Sequence, residues 1–154
     1  DNNIHSPMDL EQLSTIPILG VVGKNNLDNN LVVHRKPKSA VAEAFRAIRS
    51  NLQYYYKSKE LEGAKTLLVT SSVSGEGKTC CSINVATVFA LSGKKTVLVR
   101  LDLRKPKIFG DLGIANDVGV VNYVIGQESL QSVIQKTAIE HLDLFTLDTV
   151  SINP

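Results

Sequence analysis

The chain has 154 residues, enough for one domain with a substantial core and too few for two ordinary ones. Hydrophobic residues make up 43% and charged residues 21%, the balance of a folded protein, which excludes a disordered chain. Seventeen Lys and Arg stand against fifteen Asp and Glu, and a formal charge of +2 lacks the basic excess of a domain that binds nucleic acid or a membrane surface.

The opening Asp1-Asn2-Asn3-Ile4 has neither the basic nor the apolar region of a signal peptide, and no apolar run approaches the roughly 18–20 residues that cross a bilayer. Residues 7–14 read as a short helix with acids in its first turn, and Pro17-Ile18-Leu19-Gly20-Val21-Val22 as a short strand. The Asn-rich residues 23–30 read as an exposed loop or linker and mark the best internal boundary. Over residues 38–57, Val41, Phe45, Ile48, Leu52 and Tyr55 recur at helical spacing and form one apolar stripe. Glu43, Arg46, Arg49 and Gln53 fall on the opposite side.

From Thr66 the pattern changes. Thr66-Leu67-Leu68-Val69-Thr70 is a continuous apolar run that predicts a strand buried on both faces. A helix from about Lys78 to Leu91, apolar nearly all round, closes at Gly93, and Thr96-Val97-Leu98-Val99 reads as a second buried strand. Strand, loop, buried helix and strand form a βαβ unit, which predicts an α/β fold with a parallel sheet flanked by helices. Residues 128–136 read as a helix and 142–147 as a third strand. The neighbours Cys80 and Cys81 have no partner at metal-ligand spacing and read as two small buried residues of a reducing compartment. His5, His34 and His141 are too scattered to suggest a metal cluster.

The loop between the first predicted strand and helix reads Ser71-Ser72-Val73-Ser74-Gly75-Glu76-Gly77-Lys78-Thr79. A polyphosphate needs many donors converging without side chains in the way. Gly75 and Gly77 let the backbone curl so that N–H groups point inward at a helix N-terminus. Lys78 adds a full positive charge, and the Thr79 hydroxyl can ligate Mg²⁺. The candidate phosphate-binding set is therefore Ser74, Gly75, Glu76, Gly77, Lys78, Thr79 and Cys80. The next strand runs into Arg100-Leu101-Asp102-Leu103-Arg104-Lys105-Pro106, at the sheet edge where ligands bind in parallel α/β proteins. Asp102 there can reach a metal or an attacking hydroxyl.

At these residues the chain resembles the bacterial tyrosine kinases of capsular and exopolysaccharide synthesis. Ser72–Thr79 corresponds to their Walker A loop, with Ser72 at the usual first glycine position. Arg100-Leu101-Asp102-Leu103-Arg104 with Pro106 corresponds to their Walker A′ motif, Asp-x-Asp-x-Arg. Glu43, Arg46 and Arg49 match the Glu-x-x-Arg-x-x-Arg helix of ring-like self-association. Asp9-Leu10-Glu11-Gln12-Leu13 with Pro17-Ile18-Leu19-Gly20, then Gly119 to Gly126, and finally Asn153-Pro154, follow the family's order of short motifs.

The resemblance implies a P-loop NTPase-like fold, with an approach segment and loop over 1–30 and the N-terminal part of a kinase domain over 31–154. It implies ATP and Mg²⁺ as cofactors, with Lys78 and Asp102 in catalysis and Thr79 and Asp102 on the metal. It further implies homo-oligomers through Glu43, Arg46 and Arg49, a membrane-spanning polysaccharide co-polymerase partner, and a place on the cytoplasmic side of the bacterial inner membrane. The chain departs from the family at Arg100, where the first Walker A′ Asp is expected, and it stops where Walker B and the tyrosine-rich tail are expected beyond Asn-Pro. This stretch alone is therefore expected to be inactive. Leu144-Phe145-Thr146-Leu147-Asp148 imitates a Walker B, leaving Asp148 as an alternative. The triplet Tyr54-Tyr55-Tyr56 reads as helix packing rather than a phosphorylation cluster. Two other classes compete: a nucleotide-dependent assembly or chain-length module without phosphate transfer, and a partner-switching P-loop ATPase. The second class carries an early loop lysine where this chain has Val73.

Overall fold

A computed structural model of the chain describes residues 4, 6–26, 28–100, 112 and 120–146. Helix α1, Pro7–Leu13, starts where expected. The Ser6 hydroxyl accepts from the Asp9 N–H, and the Asp9 carboxylate accepts from the Ser6 N–H at 2.8 Å, closing a capping box with Pro7 in the first turn. None of its residues is buried. The strand expected over 17–22 is instead a strap with no sheet partner among the described residues, laid along a helix. The Asn51 side-chain amide donates to the Leu19 carbonyl at 2.7 Å, and a Cβ on Gly20 would stand 2.7 Å from Ile48 Cγ1. A helix flank offers side chains rather than a ladder of free backbone groups, so the strap forms no sheet.

Helix α2, Val32–Arg35, is one turn with Val32 and Val33 buried, too short to leave a periodic signal. Helix α3, Ala40–Ser58, is capped by Ser39, whose hydroxyl accepts from the Ala42 N–H at 3.1 Å. Ala42, Phe45 and Leu52 are buried, with Val41 and Ile48 beside them. The stripe ends on Tyr56 rather than on the expected Tyr55, which is 46% exposed. Tyr56 lies eleven residues from Phe45, about three full turns at 3.6 residues each, so it returns to the same face. Burial pushes its hydroxyl pKa up.

Helix α4, Lys78–Ala90, explains its own apolar sequence. Ile83, Ala86 and Ala90 pack on one side with Leu98, Leu142 and Leu144, while Val85 and Val88 pack on the other with Val33, Ala42, Phe45 and Leu52. It is the middle layer between α2/α3 and the sheet. That sheet comprises β1, Thr96–Arg100, β2, Ile134–Lys136, and β3, Leu142–Thr146, in the order β1-β3-β2. Short helices α5, Val120–Val124, and α6, Leu130–Val133, precede β2.

Four expectations are corrected here. The run 66–70 forms no strand among the described residues, and Leu67 and Leu68 are exposed, because a strand buried on both faces needs a covering layer on each side. For the same reason β1 is buried only through Leu98, on the side that α4 covers; Val97 and Val99 are about half exposed. The sheet is mixed: β1 and β3 are parallel, but β2 pairs antiparallel with β3. The helix expected over 128–136 accordingly splits at Val133, where Ile134 turns to pair with Phe145 and Lys136 forms a 2.8 Å ion pair with Asp143. Cys80 and Cys81 are half-buried and form no disulfide among the described residues, and burial raises the Cys81 thiol pKa. No described helix is long and apolar enough to cross a membrane.

Candidate phosphate-binding site

Gly77 is the N-cap of α4 at φ 90°, and Gly75 lies at φ 95°, both in the left-handed region. Nothing stands within 4 Å of a Cβ at either position, so backbone conformation rather than crowding requires glycine. No side chain caps α4, which leaves its N-terminal dipole open to an anion. Lys78 arches back over the loop, donating from Nζ to the Ser71 hydroxyl and to the Val73 carbonyl at 3.0 Å. Ser71 also donates to that carbonyl at 2.7 Å, and the Val73 N–H donates to the Glu76 carboxylate at 3.3 Å. Glu76 thus braces the loop from within. Ser74 is exposed at the loop tip. Thr79 is half-buried, and its carbonyl accepts from the Ser82 hydroxyl at 3.2 Å. The Cys80 thiol faces the Asn30 carbonyl and Asn84, so the part of Cys80 on the loop side is its backbone.

These groups fit a polyphosphate: an uncapped helix end, two left-handed glycines and a nearby ammonium. A divalent cation has fewer candidate ligands among the described residues. The Thr79 hydroxyl is available, but no three His, Cys, Asp or Glu side chains come together among the described residues. Asp102 and Asp148 lie outside the described residues, as do the Gly119 and Asn153-Pro154 ends of the other matched motifs.

No protein-family model matches the chain. Tyrosine-protein kinase YwqD of Bacillus subtilis is 32% identical over 130 residues, covering 84% of this chain and 54% of YwqD. The putative tyrosine-protein kinase CapB of Staphylococcus aureus is 35% identical over 131 residues, covering 85% of this chain and 56% of CapB. Among solved structures, the chimerical protein CapA2B2 superposes with a TM-score of 0.78 at 30% identity, over 97% of this chain and 63% of its own. The chain belongs to the bacterial tyrosine kinase family. The kinase domain of Escherichia coli tyrosine kinase ETK superposes with a TM-score of 0.79 at 25% identity, over 97% of this chain and 61% of its own. This family member therefore has the P-loop kinase-domain fold, and it spans about half the length of the curated relatives it matches.

The three charged residues of α3 in this kinase-family chain do not share one role. The Arg46 guanidinium holds the Glu43 carboxylate at 2.8 Å and the Pro37 carbonyl at 2.6 Å, an exposed local cluster. Arg49 turns inward, and its Nη1 donates to the Val88 carbonyl at 3.2 Å. Val88 lies in the last turn of α4, where the following backbone N–H groups bond to Thr87, Phe89 and Ala90 instead. Arg49 thus caps the C-terminus of α4 with a positive charge. Sequence spacing alone set Arg49 on the outward face. We expect Arg49→Ala to lower unfolding stability by about 1–2 kcal/mol, and Arg46→Ala by under about 1 kcal/mol. Urea denaturation of the two variants side by side checks this; equal losses would make Arg49 an ordinary surface charge.

Sequence reasoning also missed Asn84, which is fully buried and joins α4 to α2, and Thr146, buried at the end of β3. Neither belongs to a motif, and a polar residue inside an apolar run gives no sign of its distant partner.

Proposed function

We propose that the chain carries the ATP-binding part of a bacterial protein-tyrosine autokinase that regulates capsular or exopolysaccharide synthesis and export. The observation that carries the proposal is the uncapped N-terminus of α4 behind Gly75 and Gly77, with Lys78 folded over the loop. In this reading the backbone of residues 74–80 cradles the phosphates and Lys78 neutralises the outer ones. Thr79 and Asp102 would hold Mg²⁺, which offsets phosphate charge during transfer. The bond between the γ-phosphorus and the ADP oxygen breaks as a tyrosine oxygen on a neighbouring copy bonds to phosphorus, and the tyrosine proton leaves to a base. Of the Glu43, Arg46 and Arg49 set, the exposed Glu43 and Arg46 would bring copies together while Arg49 holds α4 behind them, and a membrane-spanning polysaccharide co-polymerase region would hold the assembly at the inner face of the bacterial inner membrane. No nucleic-acid partner belongs to this reading.

The test is incubation of the full-length parent protein with radiolabelled Mg·ATP. Phosphotyrosine is expected on the parent and absent from its Lys78→Met variant. Arg100 favours a second reading, a nucleotide-dependent assembly module without transfer; nucleotide-dependent change of oligomer mass with no phosphotyrosine would select it.

A further inference from the structure

Arg100 and Thr146 are partners across the parallel pair β1/β3, the last residues of their strands. In-register residues point to the same face, and here that face is the one carrying Leu98, Leu142 and Leu144 against α4. Arg100 Nη1 and Thr146 Oγ1 are both buried without a hydrogen-bond partner, and Thr146 is 2% exposed. An orphaned buried polar group costs about 1–3 kcal/mol, so two side by side at a sheet edge call for a missing partner. Both can donate, and Arg can only donate, so the partner is an acceptor and, facing a guanidinium, an anion.

The topology puts this pair at the phosphate end of α4. The chain turns directly from α4 through Gly93 into β1, and the two pack together, so the C-terminus of α4 lies by Thr96 and its N-terminus lies toward Arg100. Thirteen helical residues rise about 20 Å. Five strand residues span about 13–16 Å, which brings Arg100 level with roughly the first turns of α4. The helix N-terminus, Lys78 and Arg100 are then three positive sources at one end of the layer.

Resting on the nucleotide reading above, we propose that Arg100 and Thr146 take the terminal phosphate of a nucleoside triphosphate seated on the loop, and that Arg100 supplies charge a divalent cation would otherwise bring. ATP binding by this chain therefore does not require Mg²⁺.

Calorimetry with ATP and ADP, in Mg²⁺ and in excess EDTA, tests this on the whole chain. The wild-type chain is expected to bind ATP in EDTA within about threefold of its affinity in Mg²⁺. Loss of a charge-assisted bond in Arg100→Ala should weaken ATP in EDTA by about tenfold or more, and ADP by much less. Arg100→Asp should bind ATP only with Mg²⁺. Thr146→Val, close to Thr in shape, gives a smaller loss in the same direction and keeps the test alive if Arg100 variants fail to fold. ATP binding that needs Mg²⁺ in the wild type, or that is unchanged in EDTA for Arg100→Ala and Thr146→Val, overturns the proposal while the nucleotide reading stands. Failure of the wild type to bind either nucleotide in both buffers overturns the nucleotide reading itself.

Discussion

Lys78→Met is expected to weaken ATP binding by this chain about 10- to 100-fold, the equivalent of about 1.5–3 kcal/mol for a hydrogen bond to a charged group. In the present conformation the Lys78 ammonium rests on Ser71 and Val73, two groups of its own loop. A bound polyphosphate offers it a stronger acceptor at little cost, because the loop glycines already hold their left-handed conformations. Met keeps the length and apolar stem of Lys and removes only the charge. Calorimetric titration with ATP, with a thermal melt to confirm that the loop still folds, is the measurement. An unchanged dissociation constant in a folded variant would remove the phosphate site from this loop.

Asn84→Leu is expected to destabilise the fold by about 2–4 kcal/mol although it adds apolar surface to the core, combining one orphaned donor with a change of shape. Asn84 is 0% exposed in the middle of α4. Its Oδ1 accepts from the Val33 N–H at 2.9 Å, and its Nδ2 donates to the Asn30 carbonyl and, at 2.8 Å, to the Cys80 carbonyl. Helix α2 has no side-chain cap of its own, so Asn84 supplies that cap from another element. Asn84→Asp keeps the acceptor for Val33 but sets a carboxylate oxygen against two carbonyls, and should also destabilise. Urea denaturation of both variants checks this. A Leu variant as stable as wild type would mean that the Val33 N–H finds another partner.

The glycine loop ahead of α4 and the two long helices were legible in the sequence because their causes are contiguous. Gly75 and Gly77 are required by their own φ angles, and the 3.6-residue period of Phe45 and Leu52 needs no knowledge of what lies opposite. The apolar circumference of α4 likewise announced a helix covered on both sides. Partnership across the chain was not legible. The apolar run 66–70 has the composition of a buried strand, yet composition supplies neither a covering layer nor a neighbouring strand. Ile134 left a helical pattern because Phe145 offered it a backbone ladder, and that choice lies in β3 rather than in residues 128–136. Arg49 has the spacing of a surface charge, but an unfilled carbonyl at the end of α4 draws it inward. Arg100 read as the loss of a carboxylate, and only the register of β1 on β3 sets it beside Thr146 as a pair of unpaired donors. Backbone conformation and periodicity are properties of neighbouring residues, whereas hydrogen-bond satisfaction and burial depend on groups that meet only when the chain has folded.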